Sequence, residues 1–350
     1  MNVACNSCGK SYNLPDERLP RGRVVNFPCP ACKSKVTLDL RDPAESDASS
    51  ESDKVVFKPL ADTSESALGG SDLKKKILQS VKDLPPMPKV LFKAREVMAD
   101  PKSSFKDVAA VIETDQAIAA RVLKVANSAY YGLSGMVNSI HQATVVLGQQ
   151  TLEQVITMVS SSSLLGKRLK GYNLNAGVLW RHSLAVALGS RMIAAKRAPT
   201  LENDAFSVGL IHDAGKLALN SCLEQKRKEV ARFLQEQSPS YLLAERHVLG
   251  FDHTEIAQDL CLKWKLPENH ALAMRYHHDP SSAGDNPLAH VIHLANYLAK
   301  ESGFGSGSEA SDNPLDPSSL ANLSIKQADI EALSADLIAS VEQITASLNA

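Results

Sequence analysis

The sequence predicts a mainly α-helical protein with a small cysteine-bearing unit at its N-terminus. Three observations point there. From Asp72 onward apolar residues recur at spacings of three and four, the period of an amphipathic helix. No segment alternates strictly with a period of two. Aromatic residues make up 5% of the 350 residues while hydrophobic residues make up 44%, with Ala, Leu, Val, Lys and Glu dominating many segments, a bias that favours helices over a β-sandwich. The length suits two domains or one large one with attachments.

Residues 1–41 form the first unit. Cys5-x-x-Cys8 and Cys29-x-x-Cys32 are separated by 20 residues. Each pair aims two thiolates at one point, and four thiolates complete a tetrahedral shell for Zn²⁺. Gly9 gives the first knuckle the backbone freedom it needs. The intervening SYNLPDERLPRGRVVNF reads as a short β-hairpin turning at Pro20 and Gly22. So small a unit has no core of its own and relies on the metal, worth roughly 10–16 kcal/mol in zinc-finger peptides. A closed four-thiolate shell leaves no open position, so this zinc is structural. Redox or disulfide chemistry fits two such pairs less well in a chain that opens without a signal peptide. Cys222 and Cys261 lie inside helical patterns and read as core fillers.

Residues 42–70, rich in Ser, Asp and Glu, read as a disordered linker. About 30 residues of flexible chain reach roughly 30 Å on average. Residues 71–301 read as a continuous helical domain in two halves, 71–165 and 171–301. SDLKKKILQSVKDL opens it with a capping Ser or Asp. PKVLFKAREVMADP is bounded by Pro88 and Pro101. FKDVAAVIETDQAIAARVLKVANSAYYG holds two helices, with Asp115 the N-cap of the second. SIHQATVVLGQQTLEQVITMVSSSSLL holds two more. Seven helical segments follow, from LWRHSLAVALGSRMIAAKR to NPLAHVIHLANYLAKES. Residues 302–318 are rich in Gly, Ser, Asp and Pro and read as a flexible loop. Residues 319–350 read as an amphipathic helix in which Ser324 and Gln327 fit a capping box. Its stripe of Ile330, Leu333, Leu337, Val341, Ile344 and Leu348 is expected to pack on its own domain rather than form a coiled-coil seam.

The net charge of −1 gives no global basic footprint for nucleic acid. No stretch of roughly 18 apolar residues exists to span a membrane, so a cytoplasmic location is expected.

Chemistry concentrates in the second half. Adjacent His212 and Asp213 in GLIHDAGKL can reach one metal from a helix end, His182 can face them from the preceding helix, and His253, His277 and His278 follow from later helices. These nitrogen and oxygen donors suit Fe, Mn, Zn or Mg. Lys216 could meet a phosphate or pair with Asp213. A metal-bound water would become a hydroxide nucleophile near neutral pH.

The succession His182, His212, Asp213, His253, His277 and His278 resembles the ligand set of the HD metal-dependent phosphohydrolases. The stretch 72–300 is similar to HDOD domains, their regulatory relatives, through LPPMPKV at 84–90, IETDQAIAARVLKVANSAYYG at 112–132, SIHQATVVLG at 139–148, GLIHDAGKL at 209–217, DHTEIAQDLCLKWKLP at 252–267 and the His277-His278 pair. The N-terminal unit resembles the zinc ribbons of bacterial regulatory proteins. The HDOD resemblance implies an all-helical, two-lobed domain, its second lobe HD-like, that mostly serves non-catalytic signalling. Two departures from the active relatives stand out. Asn296 occupies the place of an aspartate ligand, and HHDPSSAG at 277–284 lacks a Gly-Tyr-Pro segment. His141, His247, His270, His290 and His293 match no ligand position, although His290 and His293 share a helix with Asn296. The expected function is therefore a bacterial signalling module acting through protein or small-ligand contacts, the ribbon docking a protein partner. The alternative is a metal-dependent phosphohydrolase of nucleotides or cyclic dinucleotides, and a nucleic-acid role has least support.

Overall fold

In the computed structural model the described residues are the strand segments 2–4, 11–13, 24–28 and 35–39, and the stretches 66–80, 89–133, 135–306 and 314–349. Two antiparallel ladders form in the first unit. β1 (Asn2–Ala4) pairs with β2 (Ser11–Asn13), and β3 (Val24–Pro28) pairs with β4 (Lys35–Asp39). This corrects the expected hairpin over residues 11–27, since β2 and β3 each pair elsewhere. In the β3–β4 ladder Val25 lies opposite Leu38 and Phe27 opposite Val36. Cys5, Cys8, Cys29 and Cys32, and residues 42–65 of the expected linker, lie outside the described residues.

The helical unit spans Thr63–Ala350. α1 (Ser66–Ser80) begins inside the segment read as linker. Helix propagation is cooperative once a turn is nucleated, and the buried Ile77 anchors a helix that extends back through Gly69-Gly70. α2 (Lys89–Ala99), α3 (Phe105–Glu113), α4 (Gln116–Ala126) and α5 (Ile140–Leu165) complete the first half. Asp115 caps α4 as expected, its carboxylate accepting from the Ala117 and Ile118 amides at 3.0 Å. Gly148, at φ 74°, divides α5 into the two helical pieces the sequence predicts.

The second half is organised around α6 (Val178–Arg197). Leu184 to Leu188 are all fully buried, so α6 is a central helix covered on every side. It packs against α7 (Glu202–Ile211) and α13 (Pro287–Ala299), and α15 (Gln327–Asn349) covers it further. α6 and α7 approach closely because residue 209 is glycine: a Cβ there would sit 2.8 Å from the Ala187 Cα. α8 (Gly215–Gln225), α9 (Arg227–Glu236), α10 (Tyr241–Leu249), α11 (His253–Lys263) and α12 (Glu268–Tyr276) complete this half. No helix among the described residues is long and apolar enough to cross a membrane.

The C-terminal region departs from expectation in two ways. The segment read as loop 302–318 contains part of a wide helical turn at Lys300–Phe304 and the start of α14 (Pro317–Asn322). The single helix expected over 319–350 is divided between α14 and α15. Ser324 adopts φ 50°, with its amide donating to Ala321 O and the Ile325 amide to Leu320 O. That paired pattern is a Schellman C-cap, so Ser324 ends α14 rather than capping α15. The Asp329 carboxylate instead accepts from the Lys326 amide at 2.9 Å. The stripe from Ile330 to Ile344 is buried against α4, α6 and α13, as the sequence predicts. Cys261 is buried in the core and Cys222 half-buried.

Candidate metal centre

Four helix junctions deliver the candidate ligands to one place. His182 lies one turn into α6. His212 and Asp213 fall in the tight connection between α7 and α8. His253 is the first residue of α11, whose start is fixed by Asp252, its carboxylate accepting from the Thr254 and Glu255 amides at 2.9 and 3.1 Å. His277 and His278 directly follow α12. α8 meets α11 only because residue 215 is glycine, since a Cβ there would collide with the His253 carbonyl.

Asp213 is the hub. Its Oδ2 lies 2.8 Å from Lys216 Nζ and 3.5 Å from both His182 Nε2 and His212 Nε2. Its Oδ1 lies 3.4 Å from His253 Nε2 and 3.7 Å from His277 Nε2. His253 Nε2 and His278 Nε2 are 3.2 Å apart. The donors fall into two groups, His182 with His212 and Asp213, and His253 with His277 and His278, each with ligand atoms within 4.8 Å of one another.

The outward ring nitrogens set the tautomers. Nδ1 of His182, His212 and His277 donates to the Phe304, Gly209 and Met274 carbonyls at 2.9, 2.8 and 2.8 Å. A carbonyl only accepts, so the proton sits on Nδ1 and the Nε2 lone pair faces Asp213. These three Nε2 atoms and Asp213 Oδ1 are buried without a hydrogen-bond partner. Buried polar atoms are ordinarily paired, and several orphaned lone pairs converging on one carboxylate are the donor set of a divalent cation. Two donors each about 2.1 Å from one ion lie about 3–3.5 Å apart, close to the separations here. The residues present therefore fit a metal.

Electrostatics agree. Burial lowers the His182 pKa to about 3 and pulls those of His212 and His277 below the usual imidazole value, so these rings stay neutral, as ligands must be. Burial and the neighbouring His277 lower His278 as well, although part of that residue reaches solvent. His253 goes the other way, burial being outweighed by the Glu245 carboxylate. For Asp213 burial favours the acid, but Lys216 and the surrounding imidazoles hold it well below the usual carboxylate range.

Glu245 and Tyr172 are the functional residues that sequence reasoning missed. Glu245 Oε2 accepts from the His253 amide at 2.7 Å and from His253 Nδ1 at 2.8 Å, and its Oε1 accepts from the Tyr172 hydroxyl at 2.7 Å. A carboxylate behind a histidine is the arrangement that orients metal ligands. The available signal was an acid on the apolar face of α10, four residues from both Tyr241 and Leu249. Nothing in KGYN singles out Tyr172.

Lys216 is fully buried and pairs with Asp213, one of the two roles open to it, with Ser306 Oγ at 3.3 Å. Asn296 is buried on α13 with an unpartnered Oδ1. His293 cannot replace it as a ligand, because its Nδ1 donates to the His277 carbonyl and its Nε2 accepts from the Asp316 amide, both at 2.9 Å. His290 faces Ser319, His270 lies against Asp204, and His247 stacks on Phe233. Surface cavities of about 410 and 300 Å³ are lined by none of the six candidate ligands or Lys216.

The fold and the cluster define a helical protein with histidines gathered around one buried aspartate. The HDOD domain family matches residues 84–280, more than half of the chain, and the chain belongs to that family. It is similar to a Geobacter sulfurreducens HDOD domain protein of unknown function, at 24% identity and a TM-score of 0.64 over 81% of this chain and 98% of that one. A Marinobacter aquaeolei VT8 protein with a provisional signal-transduction name aligns at 24% identity and a TM-score of 0.60, over 81% and 67% of the two chains. A Shewanella amazonensis SB2B protein with a provisional phosphohydrolase name aligns at 25% and 0.58, over 78% and 97%. An uncharacterized Treponema pallidum (strain Nichols) protein is 24% identical over 225 residues, 63% of this chain and 43% of that protein, so the chain matches less than half the length of that relative.

Proposed function

We propose that this is a bacterial cytoplasmic signalling module in which the His-Asp cluster is a buried structural or sensory metal centre rather than a catalytic one. One observation carries this reading. His182, His212, Asp213, Lys216, His253 and His277 are each at most 1% exposed. Side chains so covered present almost no surface to a phosphoryl group in solution. Lys216 supports the same reading, because its ammonium already occupies Asp213 Oδ2 at 2.8 Å, and neutral Asn296 stands where the active relatives carry a charged ligand. His182, His212, Asp213, His253, His277 and His278 would hold Fe, Mn, Zn or Mg. Cys5, Cys8, Cys29 and Cys32 would hold a structural Zn²⁺, and in sequence each pair falls between the strands of one ladder. The ribbon would dock a protein partner, while the helical domain relays through protein or small-ligand contacts.

The second reading is a metal-dependent phosphohydrolase of a nucleotide or cyclic dinucleotide. The orphaned Nε2 atoms and Asp213 Oδ1 favour it, since they supply what a metal needs to activate water, and Lys216 would then turn to a phosphate. Purified protein reconstituted with Mn, Fe, Zn or Mg and offered bis(p-nitrophenyl) phosphate separates the two. No turnover with any metal is the expected result. Turnover that vanishes in Asp213→Ala overturns the signalling reading.

A further inference from the structure

A second place on the molecule has the chemistry of a ligand site, and it is wired to the buried cluster. A cavity of about 300 Å³ opens beside the turn at Lys170–Tyr172. Arg168, Lys170 and Arg227 stand on its rim. The one carboxylate there, Glu224, is engaged by Lys170 at 3.2 Å, so the rim keeps a surplus of positive charge. Val230, Leu234 and Tyr241 form an apolar base. Arg227 is also the first residue of α9, where the helix dipole adds to the attraction for an anion.

The turn itself is rigidly built. The Leu169 and Leu174 backbones bond to each other, and Asn173 takes the left-handed conformation at φ 55°. Gly171 presses so closely on α8 that a Cβ would lie 2.9 Å from Leu223 Cβ, and its amide donates to Asn220 Oδ1 at 2.9 Å. The turn thereby sets Lys170 on the rim and buries Tyr172 beneath it. Tyr172 packs on Tyr241 of the cavity base, ring centroids 5.5 Å apart. Its hydroxyl donates to Glu245, which holds His253, and Lys216 Nζ lies 5.9 Å from its ring centre. One aromatic residue thus touches Tyr241 at the base of the cavity and Glu245, the carboxylate behind His253.

We propose that this cavity binds a small organic anion, a phosphate or phosphonate head held by Arg168, Lys170 and Arg227 with a compact apolar or aromatic body on Val230, Leu234 and Tyr241, and that it is the effector site of the domain. The head follows from the surplus charge on the rim, because Arg recognises such oxygens through directed paired hydrogen bonds. The body follows from the apolar base, and the volume admits one ring and a charged head but no extended polymer. This names the small-ligand arm of the signalling reading and rests on it.

Calorimetry of the full chain with phenylphosphonate tests the site. Its P–C bond is not a substrate for metal-hydroxide hydrolysis, so binding is read apart from turnover, and the fate of the signalling reading stays with the phosphodiester assay. Saturable 1:1 binding is expected, tighter than that of inorganic phosphate, and weakened at least about 10-fold in Arg168→Ala/Arg227→Ala, as loss of two charge-assisted contacts requires. Both substituted side chains are exposed, so the variant should fold, and an unchanged circular-dichroism melt verifies this. Leu234→Ala should weaken phenylphosphonate while leaving inorganic phosphate unaffected. Absence of saturable binding, or binding that survives the double Arg substitution, overturns the proposal.

Discussion

Asp213→Asn is the sharpest test of how the cluster is held together. Asp213 and Lys216 are fully or almost fully buried and their charged atoms are 2.8 Å apart. Exchanging the carboxylate for an amide of the same shape leaves the Lys216 ammonium in the core with Ser306 Oγ, at 3.3 Å, as a neutral neighbour. Removing one member of a buried pair costs about 3–5 kcal/mol, because the Lys216 ammonium loses the carboxylate that faces it at 2.8 Å. With a urea m-value of about 3 kcal/mol/M, the midpoint should fall by roughly 1–1.7 M. The assay is urea unfolding in metal-free buffer, followed by the fluorescence of Trp180 and Trp264, the two tryptophans of the chain, which both report the helical unit. Adding Lys216→Met should restore about 2 kcal/mol or more, since the buried ammonium is gone. A loss below about 1 kcal/mol, or a double variant no more stable than Asp213→Asn, would refute the reasoning.

Three further outcomes are expected. Glu245→Gln should weaken metal retention about 10- to 100-fold, because the carboxylate that orients His253 becomes a neutral amide; competition with a chromogenic chelator reads this, and unchanged affinity would count against Glu245 as a positioning residue. Leu337→Ala should cost about 2–5 kcal/mol, since Leu337 is fully buried in the seam between α15 and α6, and thermal melting monitored by circular dichroism checks it. If the proposed four-thiolate site holds Zn²⁺, Cys5→Ser should abolish that binding while leaving the helical melt in place, which metal analysis beside the same melt would show.

The helical course was legible because apolar spacing and capping act over a few residues. Asp115, the two helices of the segment 139–165 and the stripe from Ile330 to Ile344 all follow from short-range pattern, although the break at Gly148 was placed only by the structure. Errors arose where local rules compete. Ser324 satisfies the pattern of a helix start, but the Leu320 and Ala321 carbonyls claim the neighbouring amides and make it a helix end. The hairpin was misjudged for a related reason: turn residues at Pro20 and Gly22 suggest where a chain can reverse, whereas cross-strand neighbours decide which strands pair.

By itself the sequence determined which residues can form helices and which side chains have the chemistry to hold a metal, because both are properties of residue type and spacing. The tertiary structure decided that those side chains meet. It turned the Nε2 lone pairs of His182, His212 and His277 toward Asp213, placed Glu245 behind His253, and buried every member of the set but His278. It also chose between the two roles open to Lys216, pairing it with Asp213 in the core. These outcomes depend on contacts between residues far apart in the chain, such as Phe304 with His182 and Tyr172 with Glu245. A local pattern carries no record of contacts like these, since they exist only once the helices have packed.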